Sequence, residues 1–347
     1  IIGKRFKLVH VFNRSELIEV ATFRSGENKE NDGNLVTDRT GKILRDNIWG
    51  TLEQDTFRRD FTVNALYYCP VSKKIEDHNS GIKHIRDKKI VSIGDPIKRF
   101  SEDPVRSLRA IRFSNKLQFK IDSKIKDAIY KQGHLLSHIS NARLFDEFCK
   151  IFLNGIAEKN FKKLESYGLN QYLILTNPND TIFSSELIKE ALRNTDKRFG
   201  ENKSITPGFL IAAMLWPELI KRASKNDEIN LRKFFRSMDQ VLKNQQNITA
   251  IPRKFHTYIK DIWILQLKLH SRIGKQPYKT LKHPRFRAAY DFLLIREKAS
   301  KCKPDLGSWW TKFQKNDPSS QKSLISNLRE LTEEQSFKKF GFPEELI

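Results

Sequence analysis

The chain has 347 residues, with 64 Lys+Arg against 41 Asp+Glu, a formal net charge of +23 and a pI near 9.8. That excess points to a polyanion, nucleic acid before a membrane surface, and a hydrophobic content of 38% with 11% aromatics supports a buried core rather than a disordered basic tail. No run approaches the ~20 apolar residues of a membrane span, and the three cysteines, Cys69, Cys149 and Cys302, lack metal-ligand spacing and suit a reducing cytoplasm.

Residues 1–24 read as β structure. Phe6, Leu8, Val9 and Val11, then Ile18, Val20, Thr22 and Phe23, form two β-favouring runs parted by a polar turn at Asn13-Arg14-Ser15. Glu19 stands inside the second run. Two readings of it stay open: it points to the solvent face of an alternating strand, or it is paired or metal-bound. The chain opens at Ile1 within a strand-like run, and the expectation is a fragment, or a product that has lost its N-terminal part. Residues 25–45, with Gly26, Gly33, Gly41 and many Asn, Asp and Lys, read as a flexible loop.

Residues 46–113 carry the densest pattern. Arg58-Arg59-Asp60-Phe61-Thr62-Val63-Asn64 sets two guanidinium groups before a carboxylate, and neighbouring guanidinium forks suit a polyphosphate. A helix is expected over about 59–66. An acidic turn, residues 76–81, follows. Then comes Gly94-Asp95-Pro96, and Glu102-Asp103-Pro104-Val105-Arg106-Ser107-Leu108-Arg109. Asp103 as N-cap and Pro104 in the first turn predict a helix start, with Val105, Leu108, Ile111 and Leu117 on its apolar side. Asp103 and Arg106, three apart, then share a face, where an acceptor beside a donor matches the edge of a base. A capped helix with an arginine stripe gives the same local pattern.

Downstream the signal is helical. Ile125 and Ile129, then a helix starting near Ser140, place Arg143 and Glu147 four apart, close enough to pair. Residues 160–250 alternate amphipathic helices with loops. The most apolar stretch, 206–216, reads as core, cut short by Pro217 and charged flanks. From 251 on, Arg253, Lys254, Lys268, Arg272, Arg285 and Arg287 are interleaved with aromatics, among them Trp263 and Trp309-Trp310. That suits a groove following a nucleic-acid backbone and offering rings to bases, and equally helix packing with snorkelling arginines.

The Arg-Arg-Asp and Glu-Asp-x-x-Arg blocks, in this order and at this distance, resemble class II nucleotidyltransferases, the superfamily of bacterial poly(A) polymerases and CCA-adding enzymes. Residues 16–24 and the segments after 251 are similar to the poly(A) polymerase branch. The resemblance implies an α+β fold: the C-terminal part of a mixed palm, then an all-α neck, body and C-terminal region. The implied divisions are 1–80 head, 81–160 base-reading neck, 161–250 body and 251–347 basic-aromatic RNA-binding region.

Carried over residue by residue, the resemblance makes Asp60 catalytic, with Glu19 as accessory carboxylate and metal ligand. Arg58, Arg59, Asn64, Asp103, Arg106 and Arg109 are nucleotide-binding, Arg143 and Glu147 support the base-reading helix, and Arg253, Lys254, Lys268, Arg272, Arg285 and Arg287 contact RNA. It implies transfer of AMP from ATP to RNA 3′ ends with release of pyrophosphate, tagging RNA for processing or decay, in a cytoplasmic monomer using Mg and without a membrane partner. The family's Asp-x-Asp strand is not found in these residues, so this chain alone is expected to bind ATP and RNA weakly and not to polymerise. A CCA-adding enzyme, a non-enzymatic RNA-binding protein and a basic membrane-surface protein are the alternatives.

Overall fold

Alternating β-branched residues near the start of the chain pair with one another. The computed structural model describes residues 8–14, 16–25, 49–175, 182–225, 228–229, 231–300 and 305–332. In it β1 (Leu8–Asn13) and β2 (Glu16–Ala21) form an antiparallel ladder, with Val9 opposite Val20 and His10 opposite Glu19. Of the expected 25–45 loop, only Ser25 lies within the described residues.

The chain divides into two units, Ile1–Leu135 and Leu136–Ile347. In the first, α1 (Leu52–Phe57) opens with a capping box. Thr51 Oγ1 accepts from Gln54 N at 3.2 Å, and Gln54 Oε1 accepts from Thr51 N at 2.9 Å. The helix expected over 59–66 does not form. Instead Phe61 bridges Ser92, Thr62 N donates to Val91 O at 3.0 Å, and Ile93 N donates to Asp60 O at 3.1 Å. Only Thr62–Asn64 coils, as a single 3₁₀ turn. β-branched Thr62 and Val63 are poor helix formers, and the bonds to residues 91–93 satisfy backbone groups that a helix would otherwise satisfy.

β3 (Tyr67–Cys69) and β4 (Lys74–Glu76) form a short hairpin. The acidic turn has a structural use: the Asp77 carboxylate accepts from Gly81 N at 2.7 Å and Ile82 N at 2.9 Å, holding the start of α2 (Gly81–Arg86). β5 (Lys89–Ile90) pairs in parallel with β6 (Lys120–Ile121), and α3 (Pro96–Glu102) and α4 (Val105–Leu117) lie between them in sequence. Gly94, at φ +76°, makes the turn into α3 in a backbone region that other residues enter reluctantly. Asp95 then caps that helix through Lys98 N at 3.2 Å. Val105, Leu108 and Ile111 of α4 are buried with Phe61, Phe100 and residues of α5 (Ser123–Gln132), whereas Leu117 is exposed.

Among the described residues, the second unit is helical apart from one short ladder. It contains α6 (Asn141–Phe152), α7 (Ala157–Ser166), α8 (Ile182–Gly200) and α9 (Pro207–Ala223). The ladder of β7 (Ser224–Lys225) and β8 (Glu228–Ile229) follows, then α10 (Leu231–Gln246), α11 (Arg253–Leu269), α12 (Gln276–Leu281), α13 (Phe286–Ser300), α14 (Leu306–Lys315) and α15 (Pro318–Thr332). Pro217 does not end the apolar stretch as expected. The helix runs through it to Ala223, because Leu219, Ile220 and Ala223 are all buried and packing outweighs one lost hydrogen bond.

The tryptophans of the C-terminal region are core. Trp263 and Trp310 are fully buried, and their Nε1 atoms donate to Ala212 O and Leu269 O, both at 2.9 Å. Trp309 stacks on Phe313 within the same cluster. Their rings pack helices and are not offered to bases. Among the described residues no helix is long and apolar enough to cross a membrane.

Candidate nucleotide-binding site

Both sequence blocks converge inside the first unit. Arg59, Asp60 and Asn64 from the extended turn face Asp103, Arg106, Arg109 and Phe113 from the start of α4 across a cleft of about 440 Å³. The turn supplies its side chains because the backbone bonds to residues 91–93 hold it open. α4 supplies Arg106 and Arg109 at three-residue spacing, on one side of the helix, and Asp103, expected as its N-cap, instead closes α3 in an extended conformation, with Pro104 at the cap position.

Asp60 is buried and takes three hydrogen bonds. It accepts from Arg109 Nε at 2.5 Å, from Asn64 Nδ2 at 3.0 Å and from Phe61 N at 2.9 Å. Burial by itself would raise its pKa, but the Arg109 guanidinium, Asn64 and the Phe61 amide outweigh that and hold the carboxyl below the usual range. Asp60 therefore orients Arg109 and Asn64 across the 49 residues that separate Arg109 from it. Arg109 also lies over the Phe113 ring at 5.2 Å. Among the described residues its two Nη groups make no protein hydrogen bond, so they are available to an anion.

A second carboxylate, Asp55, organises the arginine pair. It is 2% exposed and accepts from Arg59 Nε and Nη2 at 3.1 and 2.7 Å, from Arg58 Nη1 at 3.3 Å, from Arg24 N at 3.2 Å and from the Tyr67 hydroxyl. Burial pushes its pKa up, while Tyr67 and Arg59 pull it further down, and the net effect is a carboxyl below its ordinary value. Arg58 pairs with Asp55 and does not line the cleft, whereas Arg59 does both.

Arg99 of α3 completes the frame. Its Nη2 donates to the carbonyls of Arg58 and Arg59 at 2.7 and 2.6 Å, and its Nη1 to Glu102 at 2.9 Å. Arg106 Nη1 in turn donates to Arg99 O at 2.7 Å and lies 3.2 Å from Glu102 Oε2. Asp103 Oδ1 accepts from Val105 N at 3.3 Å, fixing the acceptor next to Arg106. Asp55, Tyr67, Arg99 and Phe113 were not among the sequence-derived site residues. The first had a readable signal, since it stands three and four residues before Arg58 and Arg59.

The remaining predicted residues disperse. Glu19 is an exposed carboxylate 3.5 Å from His10 of the facing strand. Among the described residues no three His, Cys, Asp or Glu side chains gather as a metal-binding group. With Asp60 already neutralised by Arg109, these residues do not make a divalent-cation site of their own. Glu147 is buried and accepts from Lys150 at 2.8 Å, with Arg143 exposed one turn earlier on α6. Arg253 and Lys254 open α11, and Lys268 stands near its other end, roughly 20 Å along at 1.5 Å per residue. Arg272 lies over Trp309 at 5.7 Å and pairs with Asp305 at 3.5 Å. Among the described residues, Arg285 and Arg287 of this set line one cleft.

Comparison with known proteins places these features in one lineage. Residues 1–91 match the model described as the poly A polymerase head domain, 118–178 that of the probable RNA and SrmB-binding site of polymerase A, and 227–340 that of the polymerase A arginine-rich C-terminus. The chain is 40% identical to poly(A) polymerase I of Escherichia coli over 348 residues, covering 95% of this chain and 74% of that one. It is 37% identical to that of Haemophilus influenzae, with 95% and 76% covered. A CCA-adding enzyme of Anoxybacillus flavithermus is 35% identical over only 54% of the chain and 44% of its own length. The solved structure of the Bacillus stearothermophilus CCA-adding enzyme in complex with CTP shares the fold, at a TM-score of 0.56 and 22% identity over 94% of this chain and 68% of that one. The chain belongs to the bacterial poly(A) polymerase I family of nucleotidyltransferases.

Proposed function

We propose that the chain binds ATP in the cleft of the first unit and serves transfer of its AMP to an RNA 3′ end. The attacking 3′-hydroxyl releases its proton to solvent as its oxygen bonds to the α-phosphorus, the bond to the β-phosphate bridging oxygen breaks, and pyrophosphate leaves with the electron pair. The observation that carries this reading is the convergence of Arg59, Arg106 and Arg109 on one cleft, each held by a carboxylate and each with donors to spare among the described residues. Arg59 and Arg109 are assigned to the phosphates, because each is a planar fork already oriented by its carboxylate partner. In the family a divalent metal stabilises the attacking and leaving oxygens when bound. The described residues do not assemble its site.

Asp103 and Arg106 are assigned to the base. An Asp acceptor beside an Arg donor matches an edge that offers an amino group and a ring nitrogen acceptor, as adenine and cytosine do. Guanine and uracil present the reverse order at those positions and would leave both groups unpaired. The pair therefore rejects GTP and UTP without separating ATP from CTP. The choice of ATP is supported by the extent of similarity, with relatives named poly(A) polymerase I matching 95% of the chain and the CCA-adding relative about half.

Equilibrium dialysis with labelled ATP tests the reading. Unlabelled ATP should displace the label, with GTP and UTP at least tenfold weaker, and Arg106→Ala should abolish that preference. Equal displacement by all four nucleotides would remove the base-reading assignment. A preference for CTP seen only with a tRNA lacking its 3′ end would favour the CCA-adding alternative.

A further inference from the structure

We propose that a cleft within the second unit holds one nucleotide of single-stranded RNA, an inference that rests on reading the chain as an RNA-modifying enzyme. The cleft is formed by the C-terminal part of α8, the start of α9 and residues of α11 and α13, and measures about 210 Å³, room for a half-buried nucleotide but not for a folded RNA element.

Its walls offer two kinds of chemistry. Arg198 and Arg287 pair with the carboxylate of Asp291, Arg287 Nε 3.0 Å from Oδ1 and Arg198 Nη1 3.5 Å from Oδ2, and Arg285 lines the same cleft. Three guanidinium groups against one carboxylate leave a positive excess at the opening. Arg198 is immobilised by Ser204 O, to which its Nε and Nη2 donate at 3.1 and 2.9 Å, and acts as a fixed charge. Arg285 and Arg287 are exposed, and they lie over the rings of Tyr258 at 4.9 Å and Tyr290 at 5.6 Å. The second wall is aromatic: Phe209 lines it, and Arg285 with Tyr258 presents a flat, cation-bearing face. A phosphate answers the first wall and a base the second, and a nucleotide carries both.

Asn194 lines the same cleft, while its buried Oδ1 accepts no hydrogen bond among the described residues. An acidic peptide would satisfy the arginines but has no flat ring for the aromatic wall. Sequence alone pointed to Arg285 and Arg287; Asn194, Arg198 and Tyr258 reach them only through the fold.

The test is equilibrium binding of a labelled 15-nucleotide single-stranded RNA to the full chain over a range of salt. Arg285→Ala with Arg287→Ala should weaken binding at least tenfold and reduce the slope of log Kd on log salt by about 0.7 for each phosphate that is no longer neutralised. Arg285→Lys should keep the slope yet lose affinity, because charge survives and the flat face does not. Tyr258→Phe should bind as the parent does and Tyr258→Ala roughly tenfold more weakly. Cross-linking of 4-thiouridine RNA to the parent, with adducts mapped to residues 253–260 or 283–291, checks the interaction without any substitution. Unchanged affinity and slope in the double variant, with the parent binding RNA, would overturn the cleft assignment alone. A parent that binds no RNA would overturn the assignment and the RNA reading together. Displacement of the RNA by polyglutamate as effectively as by RNA would mark an acidic-peptide surface and overturn the assignment.

Discussion

Asp55 receives hydrogen bonds from Arg24, Arg58, Arg59 and Tyr67 while almost none of its surface is exposed. Such a carboxylate sets the direction of two guanidinium groups before any phosphate arrives. Asp55→Asn keeps the shape and removes the charge; it is expected to lower folding stability by about 2–4 kcal/mol in urea unfolding and to weaken ATP binding about tenfold or more. Asp55 and Asp60 both have carboxyl pKa values below the ordinary range. Their contribution to stability is therefore complete above the unfolded value of ~4 and is lost as pH falls through the depressed folded values. Unfolding free energy measured between pH 6 and pH 3 should fall less steeply in Asp55→Asn than in the parent. Arg59, Asp103 and Arg106 stood out in the sequence by residue type and local spacing, and Asp60, Asn64 and Arg109 through the family resemblance; that all six line one cleft is a property of the fold. Asp60 was legible only as a functional residue: that it is spent on Arg109 depends on a pairing between residues 49 positions apart.

Arg99 binds one element to another. Its guanidinium, donated from α3, closes on the carbonyls of Arg58 and Arg59 and so fixes the turn that carries the phosphate-facing side chains. Arg99→Lys cannot span both carbonyls with a fork, and is expected to weaken ATP binding about tenfold with a smaller change in melting temperature; the two are read by dialysis and calorimetry. The apolar spacing of α4 was readable because it is a one-helix property. The helix expected over 59–66 gave way to ladder bonds with residues 91–93, which no local window contains. The tryptophans show the same limit, since a basic-aromatic run looks alike whether its rings face a base or a neighbouring helix. Trp310→Phe should lower stability by about 1–3 kcal/mol, since it strands Leu269 O, and leave RNA affinity unchanged once folded, as a core residue requires.

Over the whole molecule, the net charge of +23 is shared by two units that each present a cleft bordered by three arginines. RNA affinity should therefore fall steeply with salt, whereas binding of a single ATP should fall less, having fewer phosphates to neutralise. The charge and the helical content of the second unit were plain from composition and periodicity. The place where each unit gathers its arginines was not, because it is set by side chains brought together across long stretches of chain. Hydrogen exchange of the backbone amides, followed by mass spectrometry with and without ATP, locates the bound nucleotide. Residues 58–64 and 103–113 should be protected by ATP and little by GTP. Protection confined to other segments, or equal protection by GTP, would contradict selective binding of ATP in the cleft of the first unit.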